Sequence, residues 1–291
     1  MSNPRWSASR FSTYESCKTK YFLNYIKQLV VLNREADVTT KGLTFHQIAE
    51  QMSSDKSIDV LYGLAKKIID ESDFDKDKYP IIRAIPRFFL WWHTYVKKWE
   101  EGGYTLEREA WRHSTLDNRN LVGAMDLILT KGDEVIIIDF KTAQKANVAG
   151  YSDQLILYAY MVAKLLKIKD EDIPSKIKTY VFFPLSGLKD ENQDDEESVK
   201  KFMDKTFKQL LFTKEEVDAV ISKFKNIMQE SDCTVWNNYD LTTNATMSYA
   251  CSFCGFLGSQ KFCPTSAANG FVFPRKAKIY QKDDPEQKDL K

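Results

Sequence analysis

The pattern of apolar and polar positions predicts a strand, a turn, a second strand and a helix between residues 121 and 160. The first strand reads LVGAMDLILT, the turn reads KGDE, and the second strand reads VIIIDFKT. The unbroken apolar run from Val135 to Ile138 is typical of a strand buried on both faces. The helix that follows carries Gln154 and Tyr158 four residues apart, which places both side chains on one face.

Aromatic residues recur at near-helical spacing between residues 5 and 30, which predicts a helix whose aromatic face joins the core. Ser9 or Ser12 is expected to cap this helix. Cys17 lies within the same predicted element. The aromatic residues are Phe11, Tyr14, Tyr21, Phe22 and Tyr25.

Residues 31–41 are polar and irregular, and the sequence GLTFHQIAEQM after them predicts the start of another helix. Gly42, His46 and Glu50 recur at four-residue intervals and therefore lie along one face of that helix. A single histidine on a helix is more often a packed or surface residue than a ligand, so spacing alone leaves both interpretations of His46 open.

Further helices are predicted over residues 57–101. Pro80 is expected to begin the main helix, and Pro86 to kink it or shift its start. Trp91 and Trp92 are predicted to pack in the core, with stacking against bases of a single strand as the alternative. One apolar stripe is formed by Phe88, Trp92, Tyr95 and Trp99.

The segment TLEREAWRH predicts a strand over residues 105–113, with Glu107 and Glu109 on one face. IKTYVFFPL, after the helix that carries Gln154, predicts another strand of the same sheet. This order of strands and helices predicts an α/β fold, in which a mixed central sheet is flanked by helices.

An acidic run from Lys189 to Glu197 predicts a solvated loop away from the path of an anionic substrate. Two amphipathic helices are expected after it, at about 198–211 and 213–230. Residues 276–291 are predicted to form a charged, mobile tail after a single domain over residues 1–275, which contains a helical insertion at about 55–101.

Composition narrows the class of protein only slightly. The 291 residues suit one large domain or two small ones, and 43% hydrophobic residues suffice for a sizeable core. The net charge of +1 means that any phosphate-binding surface must be a local patch. No apolar run has the length of a membrane span, and the first residues lack a signal core, so a cytoplasmic protein is expected. The absence of a Gly-Lys dipeptide excludes a Walker-A loop and hence an ATP site of that type.

The candidate chemistry lies in the two central strands. Asp126 and Asp139 are acidic residues among apolar ones, and Lys141 follows two residues after the second. A buried carboxylate is costly unless something pairs with it. The set therefore predicts a divalent metal such as Mg²⁺ or Mn²⁺, with pairing to backbone N–H groups or to Lys141 as the structural alternative.

The motifs GAMD, IIIDFKT and QLILYAY, in this order, resemble those of the PD-(D/E)XK nuclease superfamily, in the branch of RecB-type nuclease domains. The resemblance implies a restriction-endonuclease-like core and metal ligands at Asp126 and Asp139. It implies a catalytic lysine at Lys141 and positioning groups at Gln154 and Tyr158.

The pattern Gly-x-x-x-His upstream of these motifs extends the resemblance to the metal site. It implies that His46 adds a nitrogen ligand, and the carbonyl of Phe140 is expected to complete the metal site. Glu109, one strand earlier, is a candidate for an additional acid.

Four cysteines form a second candidate site. Cys251, Cys254 and Cys263 lie close together in the sequence CSFCGFLGSQKFCP, and Cys17 lies more than two hundred residues earlier. Four thiolates suit either tetrahedral Zn²⁺ or a 4Fe–4S cluster. One N-terminal and three C-terminal cysteines resemble the iron–sulfur staple of AddB-type nucleases and of CRISPR-associated spacer-acquisition nucleases, although the last gap is longer here and Lys18 replaces the usual proline. Cys233 is predicted to be a free, packed cysteine.

The resemblance implies an exonuclease that acts on DNA ends or single strands in recombination, repair or replication. A helicase or a recombination protein is the expected partner. Two alternatives stay open: a non-catalytic DNA-binding or scaffolding subunit on the same fold, and an endonuclease specific for branched DNA or RNA.

Overall fold

The computed structural model describes residues 5–32, 37–72, 79–186, 196–234, 236–241, 251, 254–257, 259–270 and 278–281. The chain divides into two compact units. Unit 1 comprises residues 1–5 and 37–221, and unit 2 comprises residues 6–36 and 222–291. Within the described ranges, none of the helices combines the length and the apolar character needed to cross a membrane.

The strands and helices are as follows. The strands are β1 Leu29–Leu32, β2 Thr105–Leu116, β3 Arg119–Lys131, β4 Glu134–Phe140, β5 Ile177–Phe182, β6 Phe207–Leu210 and β7 Lys278–Gln281. The α-helices are α1 Ala8–Ser16, α2 Lys18–Tyr21, α3 Asp37–Glu50, α4 Ile58–Glu71, α5 Tyr79–Trp91, α6 Lys97–Glu101, α7 Ser152–Leu166, α8 Ile173–Lys176, α9 Glu196–Thr206, α10 Lys214–Cys233 and α11 Pro264–Ala268. Short π-helical turns occupy Phe22–Ile26 and Trp92–Val96, and short 3₁₀ turns occupy Ala149–Tyr151, Asp170–Asp172 and Trp236–Asn238.

A mixed five-stranded sheet forms the centre of unit 1, in the order β2-β3-β4-β5-β6. The pair β4–β5 is parallel, and the other three pairs are antiparallel. A parallel pair needs a crossover connection, and α7 lies in the segment between β4 and β5. The predicted α/β fold with a mixed sheet and flanking helices is confirmed.

Strand β4 occupies the middle of the sheet because almost all of its side chains are apolar. Every residue from Val135 to Phe140 is buried, and only Glu134 at its start is exposed. The turn before it has Gly132 at φ 61°, a conformation that glycine adopts without the steric cost of a Cβ atom. The KGDE turn is therefore confirmed, and it brings β3 and β4 into antiparallel register.

Aromatic side chains fill the core between the helices α3–α6 and the sheet. Trp91 and Trp92 are fully buried there, and the ring of Trp91 stacks on that of Phe182 at 4.4 Å. The alternative interpretation of these two tryptophans as base-stacking platforms is therefore wrong, because no ring face is open to a ligand. Helix α5 begins at Tyr79 and continues through Pro86.

Unit 2 has an aromatic core of its own. Phe11 stacks on Trp6 at 4.8 Å and on Phe224 at 4.0 Å, so that the first helix packs on the middle of α10. The helix cap is Ser7, whose hydroxyl accepts a hydrogen bond from the backbone N–H of Arg10, rather than the expected Ser9 or Ser12. The predicted aromatic face is buried as expected at four of its five positions, and Tyr25 is half-buried.

Several element boundaries differ from the prediction. Helix α3 begins at Asp37, within the stretch predicted to be irregular. The helix expected over 198–211 ends at Thr206, because Phe207–Leu210 pairs with β5 as an edge strand. Residues 278–281, predicted to lie in a mobile tail, pair with β1 as strand β7. Most of the acidic run from Lys189 to Glu197 lies outside the described residues, so its predicted place away from the substrate stays untested.

Candidate active site

Adjacent strands bring the two predicted aspartates together. Leu127 on β3 pairs with Ile138 on β4. Asp126 and Asp139 are the next residues beyond this pair, so they lie opposite each other where the pairing of the two strands ends. Both side chains are buried, with 8% exposure for Asp126 and 3% for Asp139. Two carboxylates in such a position require partners that stabilise their charge.

The contacts of Asp126 hold its two oxygens in fixed directions. Its Oδ2 accepts a hydrogen bond from the backbone N–H of Phe140 on the neighbouring strand. Its Oδ1 lies 3.0 Å from Nδ1 of His46, which helix α3 presents. Sequence spacing left His46 open between a packed residue and a ligand, and the structure places its ring at the carboxylate.

Glu109 on the edge strand β2 completes this cluster. A carboxylate oxygen of Glu109 lies 3.6 Å from Nδ1 of His46. One ligand atom each from His46, Glu109 and Asp126 lies within 4.8 Å of the others, a geometry that suits a metal ion. Glu109 has a φ of 43°, and a residue other than glycine in this conformation is costly and is often retained for function.

Helix α7 provides the partners of the second aspartate. Gln154 donates from Nε2 to Asp139 Oδ1 at 3.1 Å, and the same nitrogen donates to the hydroxyl oxygen of Tyr158 at 2.9 Å. Lys141 Nζ lies 2.7 Å from Asp139 Oδ2, although Oδ2 makes no well-aligned hydrogen bond. The structure thus brings together every side chain that the resemblance placed in the metal and catalytic set.

Gly123 makes room for Tyr158 beside the site. A Cβ atom on Gly123 would lie 2.9 Å from a ring carbon of Tyr158, closer than normal packing permits. The GxxD pattern of β3 therefore has a structural reason: its glycine lets α7 approach the strand that carries Asp126.

The pKa values at the site show an excess of negative charge. Burial lowers the pKa of His46, but its hydrogen bonds to Asp126 and Glu109 outweigh burial and raise that pKa to about 10. Burial raises the pKa of Asp139 to about 6, although the Lys141 ammonium acts in the opposite direction. Burial also raises the pKa of Tyr158. His46, Asp139 and Tyr158 therefore hold their protons more tightly than the free side chains do.

This charge balance fits a divalent cation. Glu109, Asp126 and Asp139 contribute three carboxylates and Lys141 contributes one ammonium group, which leaves two negative charges when His46 is neutral, as a metal ligand must be. Carboxylate oxygens are the usual ligands of Mg²⁺ and Mn²⁺, and imidazole also binds Mn²⁺ and later first-row metals. The part of the chain that the structure describes contains no other group of three acidic, histidine or cysteine side chains with such mutual distances.

The four predicted cluster cysteines all lie in unit 2, but their sulfur atoms are not grouped closely enough for a single-ion site. No three of their sulfur atoms lie within 4.8 Å of one another among the described residues. Tetrahedral zinc needs sulfurs about 4 Å apart, because Zn–S bonds are ~2.3 Å long. Burial raises the pKa of the Cys254 thiol, and the nearby Cys17 and Cys263 raise it further.

The structure contradicts two predictions about single cysteines. Cys17 does not lie inside a helix: it separates α1 from α2, and its sulfur accepts a hydrogen bond from the backbone N–H of Lys20. Cys233 is exposed rather than packed, since it ends helix α10.

A mixed sheet with carboxylates and a lysine on adjoining strands, next to a histidine, is the architecture of a metal-dependent nuclease. The chain belongs to the PD-(D/E)XK nuclease superfamily, whose family model matches residues 5–259. Nucleases of this superfamily use divalent metals, which agrees with the cluster of His46, Glu109 and Asp126.

Other comparisons add little to this family assignment. None of the curated proteins compared with the chain matches it. Among solved structures, the crystal structure of SSO0001 is similar at 12% identity with a TM-score of 0.32. The similarity covers 78% of this chain and 96% of that chain, and at this level it supports no conclusion about the site.

Two aromatic residues next to the site were not singled out from the sequence. The ring centroid of Tyr151 lies 4.9 Å from Lys141 Nζ, a contact across ten residues that no local periodicity indicates. Trp111, two residues after Glu109, is 64% exposed. The alternation of residues along the predicted strand puts Trp111 on the same face as Glu107 and Glu109, and this pattern could have identified it.

Proposed function

We propose that this protein is a Mg²⁺- or Mn²⁺-dependent deoxyribonuclease, an exonuclease that acts on DNA ends or single strands. The observation that carries the proposal is the convergence of an imidazole, three carboxylates and an ammonium group near the C-terminal end of the central strand β4. Family membership alone would be compatible with a DNA-binding subunit that has lost its catalytic groups.

In this proposal His46, Glu109, Asp126 and Asp139 hold the metal together with the carbonyl of Phe140. The N–H of Phe140 already fixes Asp126 Oδ2, so that Oδ1 stays directed towards His46. A bound ion would polarise the phosphate and lower the pKa of a water molecule.

Lys141 lies where it can orient the attacking water or stabilise charge that develops on the phosphate. Its contact with Asp139 raises the pKa of Lys141 in spite of burial, so the side chain is an ammonium at neutral pH. Gln154 is a positioning residue, since its hydrogen bonds join Asp139 to Tyr158. These contacts keep the ligands in place before a substrate arrives.

Digestion of end-labelled DNA with Mg²⁺ or Mn²⁺ tests the activity. Asp139→Asn should reduce cleavage at least about 100-fold, because it keeps the shape of the side chain and removes its charge from the metal site. Asp133→Asn is the matched control: Asp133 is exposed in the turn before β4 and pairs with Lys176 at 2.8 Å. It should cleave like the unaltered protein.

Three results would each contradict a part of this proposal. Metal-dependent cleavage that survives Asp139→Asn would refute the site, and binding of DNA without cleavage would favour a scaffolding subunit. Cleavage of branched or circular DNA in preference to ends would favour a structure-specific endonuclease. A panel of linear single strands, duplexes, circles and branched DNA separates these outcomes, and matched RNA substrates test the choice of DNA.

We further propose that the chain belongs to the RecB-like branch and that Cys17, Cys251, Cys254 and Cys263 bind a 4Fe–4S cluster. Sulfurs that ligate a 4Fe–4S cluster lie further apart than those around zinc, because the irons lie between them. What supports the proposal is the order of the four cysteines along the chain, together with the nearness of Cys17 and Cys263 to the Cys254 thiol, whose pKa both raise.

Iron and zinc content and the visible absorption of anaerobically purified protein test the cluster. Cys254→Ser should remove the absorption and lower stability, because the cluster would join the N-terminal and C-terminal segments of unit 2. Cys233→Ser, at an exposed cysteine outside the set, should change neither. Stoichiometric zinc, or a colourless protein without iron, would contradict the proposal.

The biological setting follows from the same reasoning. An exonuclease without a Walker-A loop of its own cannot unwind duplex DNA by that means, so a helicase or a recombination protein is the partner that we propose. We also propose a cytoplasmic location, because unpaired cysteines persist there. Co-purification of the protein with a helicase from its native cells is the direct measurement.

A further inference from the structure

Strand β2, which carries Glu109, continues past the candidate active site and forms a hairpin with β3. Residues 110–116 of β2 pair with residues 119–125 of β3, whereas β4 pairs with β3 only from Leu127 onward. Asp117 and Asn118 form the turn with φ values of 52° and 60°, the signature of a tight two-residue hairpin. The outer part of this hairpin therefore extends beyond the end of β4.

The two sides of this hairpin differ in exposure. Ala110 and Leu116 are buried, whereas Trp111, His113 and Thr115 are exposed. Trp111 is the most exposed of the large aromatic residues that the structure describes, at 64%. Its partner across the strands is Ala124, whose methyl group is too small to cover an indole ring.

A single exposed tryptophan is not by itself a binding site, and its position is what matters here. Two residues of chain span at most about 7 Å, which limits the distance along β2 between Glu109 and Trp111. A DNA strand advances about 3.4 Å per base pair, so a base one or two positions from a phosphate at the metal site falls within reach of the ring.

The charges of the hairpin favour contact with a base over contact with a phosphate. Arg112 pairs with Glu107 at 2.6 Å, and Arg119 pairs with Asp117 at 2.8 Å, so both guanidinium groups are already engaged by carboxylates. The exposed indole offers a flat apolar face, which every base can stack on.

We propose that Trp111 is a stacking platform for one base of the DNA strand, one or two nucleotides from the phosphate at the metal site. The proposal rests on the nuclease function proposed above. It makes the hairpin of β2 and β3 a subsite that holds unpaired bases next to the scissile bond.

Steady-state cleavage of a single-stranded oligonucleotide tests the platform. Trp111→Ala should raise KM about 5- to 150-fold, the range expected for loss of one base–aromatic stack, and should change kcat much less. Trp111→Tyr should recover most of the affinity. The matched control is Leu211→Ala: Leu211 is 78% exposed and follows β6, at the opposite edge of the sheet.

Abasic substitution makes this test specific. An abasic residue is moved along the oligonucleotide, and binding is measured with Asp139→Asn protein so that no cleavage occurs. At one position the abasic site should weaken binding with Trp111 present and have no further effect after Trp111→Ala. Additive losses at every position, or an unchanged KM for Trp111→Ala, would overturn the platform and leave the nuclease assignment intact. Failure of the unaltered protein to cleave or bind DNA would overturn both.

A separate contact, between the ring of Tyr151 and the ammonium of Lys141, concerns the position of the candidate catalytic lysine. The ammonium of Lys141 has Asp139 Oδ2 on one side at 2.7 Å and the ring centroid of Tyr151 at 4.9 Å. The ring of Tyr151 also packs with Phe183 at 6.0 Å, in an apolar cluster with Leu155. The cluster fixes the ring, and the ring face then limits where the flexible lysine can point.

We infer that Tyr151 is a positioning residue for Lys141. Tyr151→Leu should lower kcat about 2- to 30-fold with little change in KM, the range expected for loss of one cation–π contact. Tyr151→Phe, which keeps the ring, should recover most of the loss.

A double substitution separates positioning from a structural role. In a Lys141→Ala background, measured with Mn²⁺, Tyr151→Leu should have no further effect on kcat, because the group that the ring positions is gone. An equal loss in both backgrounds, or no loss in either, would overturn the inference. Circular dichroism of each variant checks that the fold is kept.

Discussion

At the scale of single residues, two close contacts organise the candidate site, that of His46 with Asp126 at 3.0 Å and that of Lys141 with Asp139 at 2.7 Å. His46, Asp126, Asp139 and Lys141 were assigned from motifs, and the structure brings their side chains together. The strained backbone of Glu109, at φ 43°, has no signal in the sequence, because it depends on how β2 bends against β3.

Gly123 provides a test at this scale. Gly123→Ala should lower the free energy of unfolding by about 1–3 kcal/mol, because its Cβ would lie 2.9 Å from the Tyr158 ring and force α7 or β3 to shift. Urea unfolding measures the loss. A variant as stable as the unaltered protein would show that the ring moves aside freely.

At the scale of elements, strongly patterned segments were predicted well and short ones were not. The apolar strand β4 and the helix α7 have the expected type, because burial on both faces and helical periodicity are both visible locally. The sequence pattern predicts that the four residues of β6 form the end of a helix. Their pairing with β5 is a tertiary contact, and in so short a segment it outweighs local preference.

Gly63 lies inside helix α4 and allows a matched comparison with Gly123. A Cβ atom on Gly63 would meet no atom within 4 Å. Gly63→Ala should therefore raise the free energy of unfolding by about 0.5–1 kcal/mol, since alanine loses less backbone freedom in a helix. The same unfolding experiment reports it. A decrease in stability would mean that α4 is not a regular helix at this position.

At the scale of the whole molecule, unit 2 is built from two segments that are far apart in the sequence. Residues 6–36 and 222–291 form unit 2, in which β1 pairs with β7 and Phe11 stacks on Phe224 at 4.0 Å. The candidate active site lies entirely in unit 1, and the four cysteines lie in unit 2.

Phe224 tests this division. Phe224→Ala should remove about 3–5 kcal/mol of stability by leaving a cavity beside Phe11. Hydrogen exchange should accelerate most in residues 8–16 and 222–233, and less in strands β3 and β4. Lys225→Ala, at an exposed position on the same helix, is the control. Equal acceleration in both units would show that they unfold together.

The sequence by itself determined the superfamily and the type of the central elements, and it predicted the side chains of the candidate metal site. These depend on residue type and local spacing, which a chain displays before it folds. Only the tertiary structure decided that Trp111 is exposed and that Tyr151 lies against Lys141. The physical reason is that exposure and ring contacts depend on which surfaces meet after residues far apart in the chain have packed.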